Sequence, residues 1–132
     1  MKERKVALVF GAQGVIGGNL VRHLEELGDW DVLGLSRREA PASARVRHRS
    51  VDLLDEKSTR DALADLTSVT HIFYTAFQDR PTWSELVAPN MAMLTNVVTA
   101  VEAVALNLQH VSLMQGYKVY GAHLGPFKTP AR

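Results

Sequence analysis

A glycine-spaced turn, Gly11-Ala-Gln-Gly14-Val-Ile-Gly17, joins a short apolar run to a stretch of different periodicity, and it constrains the fold more than any other feature. The run before it, VALVF at residues 6–10, is bounded by charge and glycine and has no polar alternation, the pattern of a strand covered on both faces. After Gly14 the period becomes helical, with Ile16, Leu20, Leu24 and Leu27 on the expected apolar stripe and Gly28 as a stop. Strand, glycine turn and helix in that order open a βαβ unit.

The rest of the chain repeats that alternation. Residues 31–35 read as a second strand leading into Ser36-Arg37-Arg38, and residues 46–51 as a third ending at Asp52. A helix follows, capped by Asp55 or Ser58, with Ala62, Leu63 and Leu66 on its apolar face, and residues 70–76 (THIFYTA) form a fourth strand. Thr82-Trp-Ser-Glu85 has capping-box spacing and starts the longest helix, whose apolar positions include Trp83, Leu86, Val87, Met91, Leu94, Val97, Val98 and Val101; Pro89 is a site for a kink. Residues 108–113 make a fifth strand. The predicted architecture is α/β, a doubly wound, Rossmann-like parallel sheet of about five strands in the order 3-2-1-4-5, with helices on both faces.

Composition narrows the function. The 132 residues suit one domain over residues 1–132, and 15 Lys plus Arg against 14 Asp plus Glu give no net field toward nucleic acid or an anionic membrane. No stretch has the length of a membrane span. Cysteine is absent, which removes disulfides and thiolate metal sites and suits a cytoplasmic location. The histidines, His23, His48, His71, His110 and His123, show no ligand spacing, so no metal is expected.

In the βαβ context the glycines have distinct tasks. Gly11 permits the turn, Gly14 lets backbone amides approach a pyrophosphate, and Gly17 brings the helix close to the sheet, with Gln13, Val15 and Ile16 contributing to the same loop. No Lys-Ser or Lys-Thr follows, so the loop is not that of a nucleoside triphosphatase. The end of the second strand normally offers an acid to the adenosine ribose; here it offers Ser36, Arg37 and Arg38, groups suited to a 2′-phosphate. NADP(H) is therefore expected in preference to NAD(H). Asp52, with Leu53 beside it, either meets the adenine edge or caps the next turn. Thr75 and Ala76, at the end of the fourth strand, are expected under the nicotinamide ribose, contacting it through backbone, whereas Tyr74 and Phe77 are expected simply to pack.

Several segments together, GAQGVIGGNL, LGLSRR, LTSVTHIFYTAF, LQHVSL and QGYKVYG with LGPF, resemble the extended short-chain dehydrogenases/reductases, specifically the progesterone 5β-reductase and iridoid synthase-like enone reductases and their bacterial relatives. The resemblance implies an NADPH-dependent oxidoreductase acting on a small-molecule α,β-unsaturated carbonyl or aldehyde substrate. It further implies that Lys118, in Gln115-Gly116-Tyr117-Lys118, is catalytic, although Gln115 departs from the family's usual threonine. Its tyrosine partner is expected on a later helix, past Arg132, so neither Tyr117 nor Tyr120 is assigned that role and the chain is read as a cofactor-binding half that does not turn over alone. Asn90 and Asn96 stay outside the catalytic set. The competing reading is a dinucleotide-binding sensor, scaffold or inactive fragment. Apolar surface beside the fifth strand and on the long helix predicts contact with another chain, a homo-oligomer being the expected form.

Overall fold

The computed structural model describes residues 4–43 and 45–114. Strands β1 (Lys5–Phe10), β2 (Trp30–Ser36), β3 (Val46–Ser50), β4 (His71–Tyr74) and β5 (His110–Leu113) form one sheet in the order β3-β2-β1-β4-β5. Every pairing is parallel. Helices α1 (Val15–Leu27), α2 (Glu56–Leu63) and α3 (Trp83–Glu102) make the crossovers. The expected Rossmann-type topology is therefore the observed one.

The central strand shows why its sequence has no polar alternation. Ala7 and Val9 face a core shared with Val21 and Leu24 of α1, while Leu8 and Phe10 face a second core shared with Leu63, Met93, Val97 and Val101 of α2 and α3. Residues on opposite faces of one strand thus enter different cores, and all four of these β1 side chains have no exposed surface.

Local chemistry sets the helix ends. Gly28 adopts φ 81°, and its amide donates to the Glu25 carbonyl, closing α1 in the left-handed conformation that glycine tolerates. Asp55 caps α2 by accepting from the Ser58 amide at 3.0 Å, which decides between the two cap candidates. Thr82 precedes α3 but makes no side-chain cap; its hydroxyl is instead 3.2 Å from that of Ser84, so the expected capping box does not form.

Two helical faces differ from their expected stripes. The buried positions of α1 are Gly17, Val21 and Leu24, whereas Ile16 and Leu27 are 57% and 53% exposed. A glycine faces the sheet at the first turn, so the packed face is rotated away from the more apolar isoleucine. In α3, Met93, Val97, Ala100 and Val101 are buried while Trp83, Val87, Met91 and Val98 are exposed. Pro89 lies inside this helix without interrupting it. Among the described residues, no helix is long and apolar enough to cross a membrane.

Candidate functional site

The carboxyl ends of β1, β2 and β4 open into a cleft of about 360 Å³, where the strand order reverses about β1. One wall is the glycine loop after β1, with Gly11, Gln13 and Gly14; the next is Ser36, Arg37 and Arg38 after β2; Asp52 and Leu53 flank them after β3, and Thr75, Ala76, Phe77 and Gln78 after β4. Residues far apart in sequence meet here because parallel strands deliver all their outgoing loops to one edge.

The glycine loop is compressed against β4. A Cβ on Gly17 would stand 2.1 Å from the Gly11 carbonyl oxygen, and one on Gly11, whose φ is 78°, would stand 2.8 Å from Thr75 Oγ1. Both positions require glycine. The loop is anchored by the amides of Gly11 and Ala12, which donate to the Leu35 carbonyl at 2.9 and 3.2 Å, and by the Thr75 hydroxyl, which donates to the Phe10 carbonyl at 2.6 Å. Thr75 thus uses its side chain to join β4 to β1.

Helix α1 enters the cleft with its first turn open. Gly14 is the cap residue and supplies no side chain, no acid lies in the first turn, and the amides of Val15, Ile16 and Gly17 have no acceptor among the described residues. Val15 and Ile16 are exposed beside them. These amides and the helix dipole make an anion-accepting surface.

The second wall is basic and ordered. Neither the Arg37 nor the Arg38 guanidinium is paired with a carboxylate among the described residues, although six other ion pairs occur there. The turn carrying them is held by Ser50 Oγ, which donates to the Arg37 carbonyl at 2.8 Å, and by the Val51 amide, which donates to the Ser36 carbonyl at 2.8 Å. Gln13 reaches across to this turn: its Nε2 donates to Ser36 Oγ at 2.7 Å and to the Arg38 carbonyl at 2.5 Å.

Asp52 lines the cleft while capping its own turn, one carboxylate oxygen accepting from the Leu54 amide at 3.1 Å. Leu53 is buried at the cleft floor. Phe77, expected to pack, is instead 64% exposed and lines the cleft; Tyr74 packs as expected, its ring 6.0 Å from that of Phe10. Burial pushes the Tyr74 phenol up to about 12. Lys118 lies outside the described residues. Among the described residues, no group of histidine, aspartate and glutamate side chains is placed to hold a metal.

Two asparagines have positions that the sequence left unresolved. Asn90 Oδ1 accepts from the Gln78 amide at 2.9 Å while its Nδ2 donates to the Gln78 and Leu86 carbonyls at 2.9 and 2.8 Å. Asn96 Nδ2 donates to the Leu53 carbonyl at 2.9 Å. Helix α3 therefore fixes two cleft-lining segments through side-chain amides, one after β4 and one after β3.

Residues 7–131 match the family described as NAD dependent epimerase/dehydratase. The chain belongs to that family. Within it, the chain is 38% identical over 133 aligned residues to an (S)-8-oxocitronellyl enol synthase of Camptotheca acuminata, covering 96% of this chain and 33% of the relative. It is 39% identical over 129 residues to the 3-oxo-Delta(4,5)-steroid 5-beta-reductase of Arabidopsis thaliana, covering 92% of this chain and 32% of the relative. The chain thus spans about a third of the length of these curated relatives. Among solved structures, the Bordetella bronchiseptica enzyme WbmH in complex with NAD+ superposes with a TM-score of 0.76 at 20% identity, over 97% of this chain and 44% of the other. A Burkholderia multivorans short-chain dehydrogenase/reductase structure with bound NADP gives 0.70 at 18%, over 86% and 59%. At these identities the structural likeness shows the fold.

Proposed function

We propose that this chain is the dinucleotide-binding part of an NADPH-dependent oxidoreductase that reduces α,β-unsaturated carbonyl or aldehyde substrates. The observation that carries the cofactor reading is the junction of an open helix N-terminus with two unpaired arginines across one cleft. The substrate reading rests on the likeness to the enol synthase and the steroid 5-beta-reductase.

The donor set fits the cofactor. In this reading the amides of Val15, Ile16 and Gly17 receive the pyrophosphate, and Gly11 and Gly14 keep the approach free of side chains. Arg37 and Arg38, with the Ser36 hydroxyl, receive the 2′-phosphate, for which guanidinium groups provide paired, charge-assisted donors. The free Asp52 oxygen faces adenine, Leu53 supports the ring, and Thr75 and Ala76 meet the nicotinamide ribose through backbone, since the Thr75 hydroxyl is engaged with Phe10. When bound, NADPH would supply the hydride, to the β-carbon of an α,β-unsaturated carbonyl compound or to the carbonyl carbon of an aldehyde. Lys118 is assigned to orient the nicotinamide ribose and to lower the proton affinity of the group that protonates the substrate oxygen.

Fluorescence titration of the chain with NADPH and NADH tests the reading. NADPH binds more tightly, and Arg37→Ala with Arg38→Ala weakens NADPH by about tenfold or more while leaving NADH within about twofold. Absence of binding by either nucleotide at submillimolar concentration overturns the dinucleotide reading. Equal affinity for both overturns the 2′-phosphate assignment alone.

A further inference from the structure

The two cleft walls are joined by a closed set of hydrogen bonds. Gln13 Nε2 is within donor distance of both Ser36 Oγ, at 2.7 Å, and the Arg38 carbonyl, at 2.5 Å. Ser36 Oγ donates its one proton to the same carbonyl at 2.6 Å. The carbonyl therefore has two donors, whereas the hydroxyl has a single proton already in use.

We infer that Gln13 is a positioning residue that sets preference for the 2′-phosphate by releasing the Ser36 hydroxyl; the inference rests on the NADPH reading above. For Ser36 to donate to a phosphate oxygen, its proton must leave the Arg38 carbonyl. That carbonyl keeps the Gln13 amide hydrogen, so the exchange leaves no backbone group without a partner. The exchange breaks one hydrogen bond and makes one to an anion, with no change in protonation.

Without Gln13 the Ser36 proton is the Arg38 carbonyl's remaining side-chain donor, and turning it toward phosphate leaves that exposed carbonyl to water alone. NADH carries no 2′-phosphate and asks for no such exchange. Loss of Gln13 is thus a penalty specific to the phosphorylated nucleotide.

The test is a double-mutant cycle of Gln13→Ala and Ser36→Ala, titrated with NADPH and NADH by fluorescence, with thermal melts confirming that each variant folds. Gln13→Ala weakens NADPH by about five- to tenfold and NADH by less than about twofold. The double variant binds NADPH within about twofold of Ser36→Ala, since Gln13 acts through Ser36. Gln13→Glu, which keeps the length but adds negative charge and removes both hydrogens, weakens NADPH further than Gln13→Ala. Equal loss of both nucleotides in Gln13→Ala, or additive losses in the cycle, overturns the inference while the NADPH preference of the wild-type chain stands. A wild-type chain without that preference overturns the reading beneath it, and this inference with it.

Discussion

Gly17→Ala tests how closely α1 is packed on the sheet. The added Cβ would lie 2.1 Å from the Gly11 oxygen, 2.8 Å from the Gly11 carbonyl carbon and 2.7 Å from Thr75 Oγ1. Ordinary contact begins near 3.4 Å, so the deficit at the first atom is 3.4 − 2.1, or 1.3 Å. Gly11 cannot yield readily, because its amide and that of Ala12 are bonded to Leu35 and its neighbour Phe10 to Thr75. The helix must move instead, opening a gap between Val21 and Leu24 of α1 and Ala7 and Val9 of β1. A radial gap of about 1 Å forfeits up to about half of each dispersion contact, and an overlap this deep falls at the upper end of the usual overpacking cost, about 3 kcal/mol. Alanine's helical advantage over glycine returns about 1 kcal/mol, leaving a net loss of about 2 kcal/mol. Gly18 is the control. A Cβ there meets the Ala12 oxygen at 3.4 Å, an ordinary contact, so Gly18→Ala gains about 0.5–1 kcal/mol. Urea unfolding followed by far-ultraviolet circular dichroism should separate the two variants by about 3 kcal/mol, a midpoint difference of about 1 M or more at usual urea slopes. If Gly17→Ala proved as stable as Gly18→Ala, the close approach of helix to loop would be wrong.

Tyr74 and His71 give further tests. The Tyr74 hydroxyl is buried with no hydrogen-bond partner among the described residues, so Tyr74→Phe should leave stability unchanged or raise it by about 1 kcal/mol; a comparable loss in urea unfolding would reveal a partner. With its phenol raised from 10 to about 12, Tyr74 also makes the fold lose stability as pH rises through that interval, and absorbance titration should show a phenol ionising near the upper value. His71 titrates below the ordinary 6.5, chiefly because burial disfavours its charge and secondarily because His110 and Lys5 are nearby. The unfolded chain then takes up the proton first on acidification, so stability is present above about pH 6.5 and declines as pH falls toward the folded value. His71→Phe should flatten this decline in urea midpoints measured from about pH 8 to 5, and an unchanged slope would assign the decline to other groups.

The sheet was legible because β1, β2 and β4 are short runs rich in apolar residues closed by a turn signal, and the sequence of strand, helix and strand leaves few crossovers for a parallel sheet, so that even β3, which reads VRHRS, could be placed by its position in that alternation. Helix faces were less legible. Periodicity ranks Ile16 above Gly17 as a core residue, but the glycine is buried because the helix comes too near the Gly11 carbonyl to admit a side chain. Close approach is a property of a pair of segments. Phe77 shows the converse: an aromatic residue after a strand suggests packing, yet the irregular segment that follows β4 leaves it exposed along the cleft.

The site divides in the same way. Gly11, Gly14, Ser36, Arg37, Arg38 and Asp52 could be named from their offsets to strand ends, because a parallel sheet brings those ends to one edge. Asn90, Asn96 and the linking role of Gln13 could not, since each acts on a backbone group in another loop: Asn90 on Gln78, Asn96 on Leu53, Gln13 on Arg38. A carboxamide has no hydrophobic period and no fixed partner, so its partners emerge only when loop paths are known. The same property makes these residues suited to the cleft. A side-chain amide satisfies a donor and an acceptor without adding charge, and so holds loops around an anion site without competing for the anion. Asn90 and Asn96 fix the walls from the helix behind them, while Gln13 joins the walls from the front, leaving the guanidinium groups and the helix amides as the parts of the cleft free to take a ligand.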